Sequence, residues 1–494
     1  MPIMFLQLNN SSTLSKKDQV RETLAQNILD GLFEPGTRLP SCREIAAQLD
    51  VSRNTAVSAY HSLIDDGLVA ARERSGYFVS DHIPRNLIED TNGQQQKSST
   101  QTTSLNLSQR CQKNGRLPAD LPIIERPENW FEYPYPFIAS QIEADMFPIT
   151  EWRECSRLAL NRKSLRLWAS DFSYDDSYEL VKQIRQRLLP RRGVFANDDE
   201  ILVTLGTQQA LYLVATLLGG RDKKVAMEDP GYPDARNIFQ FTFEKIRYIP
   251  VDKGGMCIDG RLSNCNLVYT TPSHQYPTMV TMNMEHRRKL LRTARKNDFI
   301  ILEDDYESEV NFATKPNPAI KALDKEGRVI YMSSLSKSLS PGLRLGYMVA
   351  NADFIKQARA LRGLMIRHPP LVAQHTAALF IGFGHHDALM RRVRPVLEDR
   401  WHVMLESLGK YLPDIRRYAT FGGTSILLQA PEHINTNDLA FRLQEKGVII
   451  EACSPCFSKP DAGNNYFRLG LSTIATDRID KGIRLILETL NELE

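Results

Sequence analysis

The chain has 494 residues, more than one ordinary domain holds and enough for two to four. Its charge is close to balance, 62 Lys and Arg against 59 Asp and Glu for a net of +3, so net charge selects no partner. No apolar run approaches the ~20 residues of a membrane-spanning helix. The opening "MPIMFLQLNNSS" lacks the basic flank and cleavage site of a secretory signal, and seven cysteines in so long a chain fit a reducing cytosol.

Residues 14–80 read as a small α-rich unit closed by a hairpin. Val20, Leu24 and Ile28 recur at helical spacing in "SKKDQVRETLAQNILDG", and Gly31 ends that helix. "GTRLPSCREIAAQLD" carries a capping box, Ser41 with Glu44 three residues on. "VSRNTAVSAYHSLIDDG" starts at an N-cap, Ser52, and stops at Gly67; "LVAARERSGYFVS" is two short β runs around a turn. Two helices about four residues apart, then a hairpin, make a winged helix-turn-helix, whose second helix enters the DNA major groove. Its first turn presents Ser52, Arg53, Asn54 and Thr55, and arginine and asparagine pair bidentately with guanine and adenine edges. The competing reading is a small helical domain with a solvated polar turn. Residues 1–80 hold 8 Lys/Arg against 9 Asp/Glu, a net of −1. DNA binding must then rest on local cations, Arg38, Arg43, Arg53, Arg72 and Arg74, with Asp65 and Asp66 turned away from the phosphates. With Ser41 and Gly76 added, the candidate DNA-binding set is Arg38, Ser41, Arg43, Ser52, Arg53, Asn54, Thr55 and Gly76.

From 81 to 126 the periodicity disappears, and "DTNGQQQKSSTQTTS" reads as a flexible linker. Residues 127–494 alternate apolar runs with helical stretches: "EILVTL" then "TQQALYLVATLL", followed by "KVAME", "NLVYTT", "DFIILED", "RVIYMSS" and "LRLGYMVA". That alternation argues a mostly parallel sheet covered by helices, over about 150–390. Residues from about 391 to the end, with the segment before 150, suggest a smaller α+β domain. "CSPC" (Cys453, Cys456) is the one C-x-x-C; with no second pair it reads as core or surface thiols, and no metal site is expected.

Such sheets bind ligands at the carboxyl ends of their strands. In "TLGTQQAL", Gly206 lets backbone approach closely, and Thr207 opens a helix whose N-terminus suits an anion. "ILEDDYESE" places Asp304, Asp305 and Tyr306 after an apolar strand; a carboxylate there can keep a pyridine nitrogen protonated, or can simply cap a helix or pair with a cation. "SSLSK" supplies Ser334 and Ser336 as phosphate ligands and Lys337 as a nucleophilic amine, and Arg344 adds a fork-shaped cation. Arg468 in "YFRLG" suits a ligand's acid group or a structural ion pair.

Together these residues resemble a known family. "LPSCREIAAQLDVSRNTAVSAY" and "GYFVS" look like a GntR-type winged helix. "FPITEW", "TLGTQQAL", "EDPGYPDAR", "TPSHQYPT", "EDDYESE", "SLSKSLSPGLRLGY" and "YFRLGLS" look like a fold type I aminotransferase. In this order they resemble the MocR (GabR-like) transcription regulators over nearly the whole chain. The resemblance implies pyridoxal 5′-phosphate held as an internal aldimine on Lys337, with Asp304 ahead of Asp305 at the pyridine nitrogen. It implies Tyr306 at the phenolic oxygen, Tyr232 near the ring, and Gly206, Thr207, Ser334, Ser336 and Arg344 around the phosphate. Arg468 would meet an amino-acid-like effector. It also implies a head-to-tail homodimer on double-stranded operator DNA in a bacterial cytoplasm, associated with the nucleoid when DNA-bound. The alternative function is an active aminotransferase carrying a DNA-binding domain. Three positions depart from the pattern. Met279 stands for the glycine of "PTG", "DDSY" follows Tyr174 where a glycine-containing "DPxG" is usual, and Ser425 stands where histidine is common.

Overall fold

The computed structural model describes residues 14–72, 75–81, 117–138, 142–169, 175–312, 316–459 and 461–493. The chain divides into two compact units, Met1–Leu105 and Asn106–Glu494.

In the first unit, α1 (Lys16–Leu29), α2 (Cys42–Gln48) and α3 (Arg53–Asp65) precede an antiparallel hairpin of β1 (Val69–Arg72) and β2 (Gly76–Val79). Each helix starts where a side chain takes up an orphan N–H. Ser41 and Glu44 form the reciprocal capping box, and the Ser52 hydroxyl accepts from the Thr55 N–H at 3.1 Å. Gly31 and Gly67 adopt the left-handed backbone that ends α1 and α3. Val20, Leu24 and Ile28 are buried against Ile45, Ala56, Tyr60 and Leu63, each large aliphatic contributing about 1.5–3 kcal/mol. Tyr60 stacks on Tyr77 at 4.5 Å and donates to the Pro40 carbonyl, fixing the hairpin to α3.

The second unit centres on an eight-stranded sheet. Its strands are β4 (Ile201–Thr204), β5 (Gly220–Asp229), β6 (Phe243–Asp252), β7 (Gly255–Met256), β8 (Leu267–Thr270), β9 (Ile300–Asp304), β10 (Val329–Ser334) and β11 (Gly346–Val349). They lie in the order β4-β11-β10-β9-β8-β5-β6-β7, and the run β10-β9-β8-β5-β6 is parallel throughout. β4, β8, β10 and β11 are buried at every residue, as expected of strands with helices on both faces. A smaller antiparallel sheet, β12 (Arg416–Tyr418), β13 (Ser425–Gln429), β16 (Tyr466–Gly470) and β15 (Glu451–Ala452), follows a helix over His385–Tyr411. Ahead of the large sheet in the chain, β3 (Tyr135–Pro136) pairs with β14 (Val448–Ile449), and Phe137 joins the core of that smaller layer.

Residues 82–116, most of the expected linker, lie outside the described residues, as do Arg74 and Tyr174. Residues 117–126, assigned to the linker from sequence, pack on the second unit. Ile124 joins a cluster with Tyr276, Leu427, Cys453 and Cys456, and Asn237 donates to the Pro122 carbonyl at 2.9 Å.

Candidate functional site

The carboxyl ends of β4, β5, β8, β9 and β10 converge on a cavity of about 380 Å³. Thr207, Tyr232, Asp304, Tyr306, Lys337 and Arg468, all singled out from sequence, line it; Arg126, Asp234, Tyr269, Thr271 and Tyr276 line it too. Lys337, three residues past the end of β10, is half-buried, its exposure opening onto this cavity. Burial first, then the Arg126 charge, depresses its ammonium pKa to about 8.

The two adjacent acids separate clearly. Asp304 ends β9, accepts the Tyr269 hydroxyl on Oδ2 at 2.9 Å, and keeps Oδ1 buried without a partner. Burial pushes its carboxyl up to about 7. Asp305 does not line the cavity. Burial would raise its pKa, but Arg192 at 2.7 Å and the Tyr331 hydroxyl at 2.8 Å hold it below the usual range. Tyr232 and Tyr276 pack edge to face at 5.2 Å, and Tyr276 meets Tyr306 at 6.3 Å, forming an aromatic wall.

Gly206, Ser334, Ser336 and the exposed Arg344, also singled out from sequence, are not among the residues that line the cavity. Gly206 has φ +75°, and a Cβ there would meet the Arg344 guanidinium at 3.2 Å. Gly346 lets β11 close on Gly206, since a Cβ on it would come within 2.8 Å of the Gly206 backbone. The helix Gly206–Leu218 begins without a side-chain cap, leaving first-turn N–H groups for an anion. The Ser334 hydroxyl accepts from the Ser336 N–H at 3.2 Å, while the Ser336 and Ser338 hydroxyls are buried and unpartnered.

Arg468 is fully buried and not free. Its Nε donates to Glu451 at 2.7 Å and its Nη2 lies 2.5 Å from the same carboxylate, with the Tyr276 ring 4.4 Å away. Sequence reasoning missed Glu451 and Arg126. A glutamate inside the apolar run "GVIIEA" was a signal for the first; nothing in an aperiodic segment marked the second.

Two of the departures are tied into the local packing. Met279 takes the glycine-like φ of +59°, and its buried side chain lies 3.7 Å from the Tyr306 hydroxyl through sulfur. Gly423 makes room for it, a Cβ there falling 2.8 Å from the Met279 methyl. In "DDSY", buried Asp176 pairs with Arg359 and Arg362 at 2.8 and 2.5 Å and accepts the Val203 N–H. The Ser425 hydroxyl is buried and unpartnered. Cys453 and Cys456 are buried free thiols.

In the first unit, Arg38, Ser41, Arg43, Ser52, Arg53, Asn54 and Gly76 are exposed. Thr55 is half-buried with its hydroxyl 2.8 Å from that of Ser52, so these two work as a cap. Arg38 lies against Gly76 (φ +106°), which a Cβ would bring to 3.5 Å from its Nε. Asp66 is tied to Arg21 at 2.8 Å.

Residues 16–79 match the bacterial regulatory proteins of the gntR family, and residues 151–486, more than half of the chain, match aminotransferase class I and II. The HTH-type transcriptional regulator TauR of Rhodobacter capsulatus is 38% identical over 96% of each chain. The chain is a MocR-type transcription regulator of the GntR family. The probable rhizopine catabolism regulatory protein MocR of Rhizobium meliloti is 32% identical, over 83% of this regulator and 80% of that protein. Among solved structures, a kynurenine aminotransferase of Pyrococcus horikoshii superposes with a TM-score of 0.66 at 27% identity, covering 72% of this chain and 90% of its own. An archaeal alanine:glyoxylate aminotransferase gives 0.68 at 25% identity over the same shares. The regulator therefore joins a GntR winged helix, a class of operator-DNA binders, to a fold type I aminotransferase-like domain, whose family depends on pyridoxal phosphate.

Proposed function

We propose that this regulator carries pyridoxal 5′-phosphate on Lys337, reads an amino-acid-like effector in the same cavity, and so alters its hold on operator DNA. The observation that supports this most is the cavity itself: one cavity lined by both a lysine of lowered pKa and a buried carboxyl with an unpartnered oxygen. The residues present fit the cofactor. Unpartnered hydroxyls on Ser336 and Ser338, an uncapped helix N-terminus and Arg344 against Gly206 make an anion cradle. When bound, pyridoxal phosphate supplies an electrophilic carbon for amines and a ring that accepts electrons. Asp304, rather than Asp305, is the acid placed to hold the ring nitrogen's proton, and Tyr306 and Tyr232 flank the ring. Thr207, Ser334 and Ser336 serve the phosphate. The proposed boundaries are a winged helix over 14–80, a linker that ends before residue 117 where the chain joins the second unit, not at 126 as read from sequence, and an effector domain from there to 494, assembled as a head-to-tail homodimer. Two winged helices on such linkers reach paired half-sites with raised avidity.

Because only the neutral amine attacks, Lys337 should capture added pyridoxal phosphate about tenfold faster per pH unit up to about pH 8, and level off above. Stopped-flow absorbance of the apoprotein reads this; a rate still climbing steeply above about pH 9 would mark an ordinary lysine.

Arg53 is assigned to base readout and Arg43 to a phosphate. Arg53→Ala should cost ~1–3 kcal/mol at one operator position and relax preference there. Arg43→Ala should weaken all sequences alike and reduce the salt dependence. Anisotropy titrations on operator and scrambled DNA at fixed salt decide it. Unchanged affinity and preference in Arg53→Ala would reject the docking of α3.

A second reading, a working aminotransferase, is favoured by the same Lys337, Asp304 and Arg468. Steady-state turnover with an amino donor and a keto acid separates the two.

A further inference from the structure

The arginine-lined end of the cavity holds more charge than one arginine. Glu451, fully buried on β15, lies between two guanidiniums. One is Arg468, buried on β16 and held at 2.5–2.7 Å. The other is Arg126, which forms an ion pair with the same carboxylate, has a one-third exposed side chain, and lines the cavity. Arg126 belongs to the stretch by which the chain enters the second unit, pinned there by Ile124 and by the Asn237 bond to Pro122. Two cations sharing one carboxylate leave a net charge of +1. Arg468 Nη1 is buried with no hydrogen-bond partner. Two other acids line the cavity and have tyrosine partners: Tyr232 donates to Asp234 at 2.9 Å, and Tyr269 donates to Asp304.

A buried arginine leaves an N–H unsatisfied at a cost of order 1–3 kcal/mol unless something else meets it. Here that donor belongs to a residue lining the cavity, in an Arg126–Glu451–Arg468 group that carries one positive charge in excess. Adding one negative charge balances the group; adding two places an extra charge beside Glu451 in a poorly solvated site.

We infer that Arg126 and Arg468 form a two-arginine clamp, that Glu451 is a built-in anion limiting it, and that the effector carries a single negatively charged acid group, carboxylate or sulfonate. Arg126 is the specificity-determining residue of the pair, since it brings the second charge. The inference rests on reading this cavity as the effector site.

The test uses full-length, cofactor-loaded protein and acids without an amine, so that binding reports the clamp and not Lys337. Propionate and ethanesulfonate are the singly charged probes and succinate the doubly charged one, titrated by calorimetry. The wild type should prefer the monoanions to succinate about tenfold or more. Arg126→Gln should weaken both monoanions about tenfold or more, and Arg126→Lys should recover part of the loss. Glu451→Gln should move the preference towards succinate about tenfold. Should that variant fail to fold, Arg126→Glu carries the same weight and should abolish monoanion binding. Wild-type affinity in Arg126→Gln overturns the clamp, as does an unchanged preference in folded Glu451→Gln or a wild type that binds none of the three acids. The clamp pattern in a protein that never acquires the cofactor's visible absorbance would overturn the cofactor reading and leave the clamp standing.

Discussion

Lys337→Ala is expected to lose the visible absorbance of lysine-bound pyridoxal phosphate completely. Wild-type protein, incubated with the cofactor and then dialysed, should keep it. The expectation follows from placement. Lys337 follows β10, half-buried against the cavity, where a permanent ammonium is disfavoured and its pKa falls to about 8. A lysine so placed is poorly explained as a surface cation and well suited to bonding through a neutral nitrogen. Residual retention in the variant should be non-covalent, through the Ser334–Ser338 turn, Thr207 and Arg344, and should wash out. Borohydride reduction followed by peptide mass spectrometry gives the same answer independently: the added mass should sit on the peptide containing Lys337. A variant that keeps the wild-type spectrum after dialysis would exclude this lysine.

Arg468→Ala is expected to abolish the effector response and also to destabilise the second unit. From the sequence Arg468 stood as a ligand-reading residue or as half of an ion pair whose partner was not named. The structure shows the ion pair, with Glu451 as the partner. Glu451 is fully buried, and burial raises the pKa of a carboxyl, but Arg468 and Arg126 hold this one below the usual range, hence ionised. Removing Arg468 leaves that charge with the partly exposed Arg126 alone, and breaking a buried pair costs ~3–5 kcal/mol. Arg126 lowers the expectation to about 3 kcal/mol by denaturant unfolding. Arg468→Ala combined with Glu451→Ala should recover part of the loss, because no carboxylate is then stranded. Equal stability of Arg468→Ala and wild type would show that Glu451 does not depend on it. An effector response at wild-type affinity would remove Arg468 from sensing.

Legibility followed the physics of each segment. The winged helix was readable because its signals are local. The capping box at Ser41–Glu44, the Ser52 cap, and glycines at positive φ after α1 and α3 each fix a boundary without distant residues. The central strands were readable because burial on both faces makes them continuously apolar. β6 escaped: "FEKIRYIPVD" interleaves exposed charges with apolar residues, as suits its place beside short β7 near the sheet edge. Asp304 and Asp305 were left open for a different reason. Successive residues of a strand face opposite ways, and the choice depends on Arg192, over a hundred residues away in sequence. Arg126 was invisible because its segment has no periodicity and gains its meaning only by packing beside Glu451. At Met279 the sequence raised a doubt that the backbone answers: the left-handed conformation stays, and Gly423 gives way.

The proposed function has the aminotransferase-like domain govern DNA binding through Lys337. Operator footprinting with titrated protein at fixed salt, with and without pyridoxal phosphate and then with added amino acids, tests it most directly. Affinity or footprint should change on loading or on effector addition in wild type, and Lys337→Ala should show neither change while still binding the operator. Identical titrations and footprints for wild type under every condition would contradict it.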